Sequence, residues 1–221
     1  MPGALSCELA PPGLPRPALD PRLTARVARR NCARMNWWMV AGLLALTVIL
    51  LRVERRGLRM TPQLSFRGDI KRETAFLAQY GQSVCTPLAF VLVWQLDPRA
   101  HIAAFALLSA VVGTGLIGMV LKRLFGRVRP SRDGAGRFLG PNFGHANHRE
   151  SFPSNHTATS LALSTVLARY YPSAAVTFWA LAATTALLRY VQDAHWPSDI
   201  VAGVLLGYVC AHYTLVVFGL A

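Results

Sequence analysis

Charged residues are scarce in this sequence, and acidic residues are scarcer than basic ones. Of the 221 residues, 15% are charged and 53% are hydrophobic. Soluble domains usually contain about 25% charged residues, so this composition disfavours an ordinary soluble domain and indicates a membrane protein. Asp and Glu total 10 against 23 Lys and Arg, which gives a net charge of +13. Such an excess of cations indicates contact with nucleic acid, lipid head groups or phosphorylated substrates, and composition alone does not choose among them.

Cysteine is also rare, and no two cysteines have the spacing of a metal or redox motif. The four are Cys7, Cys32, Cys85 and Cys210. Two of them lie in apolar runs, where cysteine behaves as a small hydrophobic residue. Neither a disulfide framework nor a zinc site is indicated.

Residues 1–34 differ in composition from the rest of the chain. Six prolines and a run of arginines from Arg22 to Arg34 favour a disordered, basic and proline-rich arm. A signal peptide needs a short apolar core and a small-residue cleavage site, and neither precedes Trp37. We therefore expect a membrane domain over residues 35–221.

Long apolar runs predict the architecture of that domain. A helix needs about 20 apolar residues to cross a bilayer, and helices satisfy their own backbone groups in lipid. Six segments approach this length: 36–51, 83–96, 100–121, 155–171, 173–188 and 199–220. The sequence therefore predicts an all-α integral membrane bundle with about six transmembrane helices.

Alternation of six spans places the connections 52–82, 122–154 and 189–198 on one face of the bilayer. The positive-inside rule does not orient that face, because the arginine-rich arm and the basic residues after the first span favour opposite orientations.

Three polar clusters lie in or beside these connections. The first runs from Lys122 to Arg129-Pro130, and by itself it is typical of cations that bind head groups. The second is Pro153-Ser154-Asn155-His156, at the expected start of a helix. The N-terminus of a helix attracts anions, and an imidazole beside it can pass a proton to a leaving oxygen.

The third cluster contains Arg189, His195 and Asp199. Pro197 is expected in the first turn of the last helix, which leaves His195 just outside it. Asp199 is then close enough to accept a hydrogen bond from one ring nitrogen and leave the other free to attack. A helix-capping role for Asp199 is the competing interpretation.

A shared site explains why all three clusters lie on one face. Two histidines and an aspartate resemble metal ligands, but Lys122, Arg129 and Arg189 would repel a metal ion and suit a phosphoryl dianion. No metal or other cofactor is therefore expected. Phosphoryl transfer depends mainly on positioning and on fixed positive charges around the equatorial oxygens.

In these motifs the sequence resembles the type 2 phosphatidic acid phosphatase superfamily. Its motifs K-x6-RP, PSGH and SR-x5-H-x3-D correspond here to Lys122 through Arg129-Pro130, to Pro153-Ser154-Asn155-His156, and to Leu188-Arg189 through His195 and Asp199. The resemblance covers about residues 100–220. It implies a metal-independent hydrolysis of a lipid phosphate or isoprenyl diphosphate, such as phosphatidate, phosphatidylglycerol phosphate or undecaprenyl diphosphate.

The resemblance also implies a role for each residue. His195 would form a phosphohistidine, Asp199 would support it, and His156 would protonate the leaving group and then activate water. The residues implied to bind phosphoryl oxygens are Lys122, Arg129, Ser154, Asn155 and Arg189. The family usually opens its site on the extracytoplasmic face, here of a bacterial inner (plasma) membrane.

Two positions depart from the family pattern, because Asn155 replaces a glycine and Leu188 replaces a serine. The Asn155 side chain is expected to narrow the pocket. These departures leave two alternatives open: a phosphoryl or head-group transferase of the same superfamily, and a non-catalytic phospholipid-binding protein. Nucleic-acid binding is not favoured, because the cations lie at the ends of spans. The oligomeric state is not indicated.

Overall fold

Helices account for the regular structure of the described residues. A computed structural model describes residues 35–57, 61–62, 67–82, 84–97, 101–142, 144 and 146–220, so the arm predicted over residues 1–34 lies outside them. No strand occurs in these ranges beyond one isolated bridge between Arg127 and Phe138. The helices are α1 (Trp37–Arg55), α2 (Gly68–Leu77), α3 (Cys85–Leu96), α4 (His101–Phe125), α5 (Asn155–Tyr170), α6 (Ala175–Val191) and α7 (Pro197–Val217), with 3-10 turns at Asn147–Arg149 and Pro172–Ala174.

Four of the described helices are long and apolar enough to cross a membrane. They are α1, α4, α7, and α6 together with its preceding 3-10 turn (Pro172–Val191). Large apolar side chains such as Trp38, Val120 and Val176 are exposed on them, as expected for surfaces in contact with lipid. The all-helical prediction is confirmed for the described residues. The count of six stays a prediction, because α3 and α5 have only 12 and 16 residues.

The short helix α5 is the centre of the bundle. It packs against α4, α6 and α7, and most of its residues are buried. Small side chains such as Ala158, Ser160 and Ala162 let the neighbouring helices approach closely. The hydroxyl of Thr159 donates to the carbonyl of Asn155 at 2.9 Å, which satisfies a polar group inside the bundle. The second polar cluster of the sequence therefore lies at the start of the most buried of the described helices.

Two glycines of α7 set its distance from α5. A Cβ at Gly203 would overlap the carbonyl oxygen of Ser154, and one at Gly207 would overlap that of Ala158. Their spacing of four residues predicts such a close helix contact, and the structure confirms it. The contact fixes the start of α7 against the start of α5.

The three polar connections meet at one end of the bundle. The amide of Ser198, in the first turn of α7, donates to Glu54 of α1 at 3.0 Å. The guanidinium of Arg127, which follows α4, contacts both Glu54 and Asp199. These bonds agree with the prediction that the segments after the first and third spans and before the last span share one face.

Candidate active site

A tight turn between α6 and α7 positions His195. Helix α6 ends with the amide of Ala194 donating to the carbonyl of Arg189 at 3.2 Å and the amide of Asp193 donating to that of Tyr190 at 3.0 Å. This pattern needs one residue in the left-handed region, which Asp193 adopts with φ 54°. Pro197 then starts α7. His195 is held between two fixed helix ends.

The ring of His195 has one nitrogen bonded and one without a partner. The side chain is 0% exposed, and Nδ1 lies 2.8 Å from the carbonyl oxygen of Ser151. A carbonyl only accepts hydrogen bonds, so the proton resides on Nδ1 and the lone pair on Nε2. Nε2 has no hydrogen-bond partner among the described residues. This tautomer is the one that a nucleophilic imidazole requires.

Asp199 supports His195 less directly than the sequence predicts. Its Oδ2 is 3.7 Å from Nδ1 of His195, which is too long for a hydrogen bond. The carboxylate instead accepts bonds from the hydroxyl of Ser151 at 2.5 Å, the amide of Trp196 at 3.0 Å and Arg127 at 2.5 Å. The predicted direct hydrogen bond is thus corrected, because the Ser151 carbonyl takes the ring N–H. Asp199 also caps α7, as the competing interpretation held.

Arg127 and Glu54 form a buried ion pair behind Asp199 that the sequence analysis missed. Nitrogen NH2 of Arg127 lies 2.8 Å from Glu54, and both side chains are 2% exposed. Ser198 donates its hydroxyl to Glu54 at 2.5 Å and accepts a bond from Arg127 at 2.6 Å. One available signal was that Glu54 is the single acidic residue of the apolar helix α1. A lone acid there requires a partner.

The predicted cations lie near the two histidines. The charges of Lys122, Arg129 and Arg189 all lie close enough to interact with His156, and so does His195. The structure therefore brings together, around one position, five residues that the three motifs supply.

Two of these cations are held by carbonyl groups of the connecting segments. Lys122 donates to the carbonyl of Glu150 at 3.0 Å, and Arg129 donates to that of Ala194 at 3.3 Å. Arg189 differs, because its Nε is buried and has no hydrogen-bond partner within the described ranges. An anion beside Arg189 would supply the missing acceptor.

Ser154 lies at the N-cap of α5 and is completely buried. Its amide donates to the carbonyl of Asp199 at 2.9 Å, and its Oγ accepts a bond from the hydroxyl of Thr157 at 3.0 Å. The hydrogen of the Ser154 hydroxyl remains available to donate.

The side chain of Asn155 faces α4. Its Nδ2 donates to the carbonyl of Gly115 at 3.2 Å, and its Oδ1 lies over Gly118, where a Cβ would overlap it. The expected narrowing of the pocket by this side chain is not the arrangement in the structure, because the side chain packs against α4, where the absence of a Cβ at Gly118 leaves room for it.

We expect Gly118→Ala to lower the free energy of unfolding by about 1–3 kcal/mol, because the new methyl group overpacks against Asn155. Thermal unfolding in detergent measures this change. Gly113→Ala is the matched control, since a Cβ at Gly113 meets no atom within 4 Å. The double variant Gly118→Ala/Asn155→Gly should recover most of the loss. Equal stability of the Gly118→Ala and Gly113→Ala proteins would contradict the packing.

Burial lowers the pKa of His195 to about 3, against the neighbouring charge of Asp199, which raises it. The unfolded chain binds this proton near pH 6.5, so the native state is destabilised as the pH falls from 6.5 towards 3. We expect the unfolding temperature to fall more steeply over this range in wild type than in His195→Gln. Parallel pH profiles of the two proteins would contradict a buried neutral His195.

No group of three or more His, Cys, Asp or Glu side chains that could hold a metal ion occurs among the residues that the structure describes.

Comparison with known proteins defines the class of this protein. Residues 103–220, more than half of the chain, match the model of the PAP2 superfamily. The chain belongs to this superfamily, and the resemblance seen in its three motifs is confirmed.

Curated relatives and one solved structure give comparisons narrower than the superfamily. The chain is 38% identical over 114 residues to the lipid A 1-phosphatase of Rhizobium etli, which covers 51% of this chain and 49% of that protein. It is 32% identical over 108 residues to the lipid A 1-phosphatase of Porphyromonas gingivalis, covering 46% of this chain and 21% of that one. The chain thus spans about half the length or less of these relatives. The crystal structure of Aquifex aeolicus LpxE shares the fold, with a TM-score of 0.55 and 18% identity over 78% of this chain and 93% of that chain.

Proposed function

We propose that this protein is a membrane phosphatase that removes a phosphate group from a lipid through a covalent intermediate on His195. The observation that carries the proposal is the ring of His195, whose Nδ1 is bonded to Ser151 while the buried Nε2 has no partner among the described residues. A fixed tautomer beside a set of cations suits attack on a phosphoryl group.

In the first step, Nε2 of His195 attacks phosphorus and forms a P–N bond. The P–O bond to the lipid breaks, and the leaving oxygen takes a proton from the imidazolium form of His156, which neighbours His195 and which the negative charge of the bound phosphate favours. Asp199 stabilises the positive charge that develops on the ring of His195 from 3.7 Å away.

In the second step, His156 takes a proton from a water molecule, which attacks phosphorus. The P–N bond breaks and inorganic phosphate leaves, so that both histidines return to their starting forms. Because the same residue serves as acid and then as base, no further proton carrier is needed.

Lys122, Arg129 and Arg189 hold the phosphoryl oxygens in both steps. The buried Nε of Arg189 is the clearest donor. The Ser154 hydroxyl and the backbone N–H of Asn155, both at the start of α5, add neutral donors. Fixed positive charges in a buried site stabilise the charge on the equatorial oxygens, and the reaction is proposed to need no metal ion.

The substrate is proposed to be a lipid phosphate monoester or diphosphate. Two relatives are named for lipid A 1-phosphate, which favours that compound over phosphatidate, phosphatidylglycerol phosphate and undecaprenyl diphosphate. We propose six spans, with α3 and α5 crossing beside the four longer helices, in a bacterial inner membrane. By analogy with the family, the site is proposed to open on the extracytoplasmic face.

Phosphate release from the purified protein in detergent tests the function. We expect release from at least one of these four lipids, at a rate that a chelator does not change. A second measurement, the search for a phosphorylated acceptor other than water, separates hydrolysis from transfer. Absence of release from all four lipids, or its loss on chelation, would count against the proposal.

A further inference from the structure

We infer that a cavity beside Arg127 is a second anion-binding site, which takes a phosphate group other than the one that is removed. The inference rests on the proposed function, and it adds a determinant of which lipids are preferred. The cavity has a volume of about 440 Å³ and lies between the end of α1 and residues 135–138. This volume falls within the range of about 300–1,000 Å³ typical of small-molecule sites.

Three arginines and one glutamate line this cavity. They are Arg55, Arg127, Arg137 and Glu54. The carboxylate of Glu54 is fully engaged, because Arg127 and both the amide and the hydroxyl of Ser198 donate to it. Neither Arg55 nor Arg137 forms an ion pair with another residue of the described ranges. The charge left for a ligand is therefore positive.

Arg127 lines the cavity and has one buried donor without a partner among the described residues. The residue is 1% exposed, and its two terminal nitrogens are bonded to Glu54, Asp199 and Ser198. Its Nε is buried and lacks a hydrogen-bond partner in the described part of the chain. A buried donor of this kind is seldom left unsatisfied, so an acceptor bound beside Arg127 would supply the missing partner.

Aromatic rings fix the guanidinium groups along the wall. The ring of Phe138 lies 5.5 Å from Arg55 and 5.1 Å from Arg127, and the ring of Trp196 lies 5.2 Å from Arg127. Stacking on aromatic faces restricts an arginine while its N–H groups stay free to bind. The guanidinium groups of Arg55 and Arg127 are thus restricted by these rings at the wall of the cavity.

The cavity adjoins the proposed catalytic site through two residues. Trp196 follows His195 directly in the chain, and Arg127 binds the carboxylate of Asp199. A head group with two phosphates, or the phosphate of a neighbouring anionic lipid, presents the same chemistry to this wall. The experiment below separates these two sources.

Kinetics with two matched substrates test the second anion-binding site. A lipid that carries two phosphate monoesters on its head group is compared with its monophosphate analogue in detergent micelles. Because a hydrogen bond to a charged group is worth about 1.5–3 kcal/mol, we expect Arg55→Gln and Arg137→Gln each to raise the KM for the bisphosphate about tenfold relative to the monophosphate. Arg56→Gln is the matched control, since Arg56 is exposed on the same helix end and lies outside the cavity lining.

Binding of a neighbouring anionic lipid, the second possible source of the phosphate, is tested by adding phosphatidylglycerol to micelles of the monophosphate. If a neighbouring lipid fills the cavity, phosphatidylglycerol lowers the KM of wild type and of Arg56→Gln but not of Arg55→Gln. The second site is supported by the change in the KM ratio of the two substrates or by loss of the phosphatidylglycerol effect in Arg55→Gln. Equal KM ratios in all variants, together with no response to phosphatidylglycerol, would overturn it.

Direct binding separates a failure of this inference from a failure of the proposed function. Binding of the bisphosphate lipid to His195→Gln protein needs no turnover, and we expect Arg55→Gln to weaken it about tenfold. Unchanged binding of both the bisphosphate lipid and phosphatidylglycerol rejects the second site even if wild type is an active phosphatase. Weakened binding supports it even if no phosphate is released.

Discussion

His195→Gln is expected to reduce phosphate release by at least about a thousandfold, because removal of a nucleophile leaves only binding and charge stabilisation. Glutamine has nearly the size of histidine, and its amide can still donate to the carbonyl of Ser151, which accepts from Nδ1 at 2.8 Å. The substitution therefore removes the attacking lone pair with little change in packing. Phosphate release at saturating substrate measures the loss.

His148→Gln is the matched control for this experiment, because His148 is an exposed histidine in the connection before α5. It should keep the wild-type rate. Binding of the substrate to His195→Gln should also persist, since Lys122, Arg129 and Arg189 remain. If His195→Gln released phosphate as fast as His148→Gln, His195 would not be the nucleophile.

Arg127→Met is expected to lower the free energy of unfolding by about 3–5 kcal/mol, because it removes one partner of a buried ion pair. Methionine fills part of the volume but leaves the carboxylates of Glu54 and Asp199 without their common cation. Release of phosphate should fall as well, since Asp199 keeps its bonds to Ser151 and Trp196 but loses the charged partner that helps to fix it beside His195. Thermal unfolding and phosphate release in the same detergent measure the two effects.

A double variant separates stability from chemistry. Glu54→Gln in the Arg127→Met background neutralises one buried carboxylate, so we expect part of the stability to return. Asp199 still lacks its cation, so phosphate release should stay low. The control Arg56→Gln removes an exposed charge and should change the free energy of unfolding by less than about 0.5 kcal/mol. An Arg127→Met protein as stable as this control would show that the buried pair does not hold the site.

The positions of the proposed site residues were predictable because each stands beside or at the edge of an apolar run. Lys122 and Arg189 lie in the last turns of α4 and α6, and His156 and Asp199 lie in the first turns of α5 and α7, so the helix ends placed them without any knowledge of packing. The alternation of spans then predicted a common face, and the bond between Ser198 and Glu54 agrees with it.

The contacts that hold Asp199 in place could not be predicted from the sequence, and the reason is physical. Arg127 and Glu54 are 73 residues apart, and a basic residue after a span usually faces head groups. Only the three-dimensional packing of α1 against α7 reveals that this arginine is buried. The bond from His195 to the Ser151 carbonyl was equally unpredictable, because every residue has a backbone carbonyl and the residue type does not indicate which one accepts.

Helix α5 shows the limit of hydropathy as a guide to spans. Its serines and threonines lower its apolar character, yet it is the most enclosed helix of the bundle because small side chains allow close packing. Length and hydropathy therefore identify the four helices that face outward more readily than the one at the centre.

Mapping of the phosphoryl group after rapid quenching tests the central claim most directly. His156→Gln protein loses both the protonation of the leaving group and the activation of water, so it is mixed with p-nitrophenyl phosphate, whose leaving group needs no proton. The intermediate should then form and accumulate. Mass spectrometry under basic conditions, in which a P–N bond survives, is predicted to find the phosphoryl group on His195. A phosphoryl group on another residue, or rapid phosphate release with none on the protein, would contradict the account.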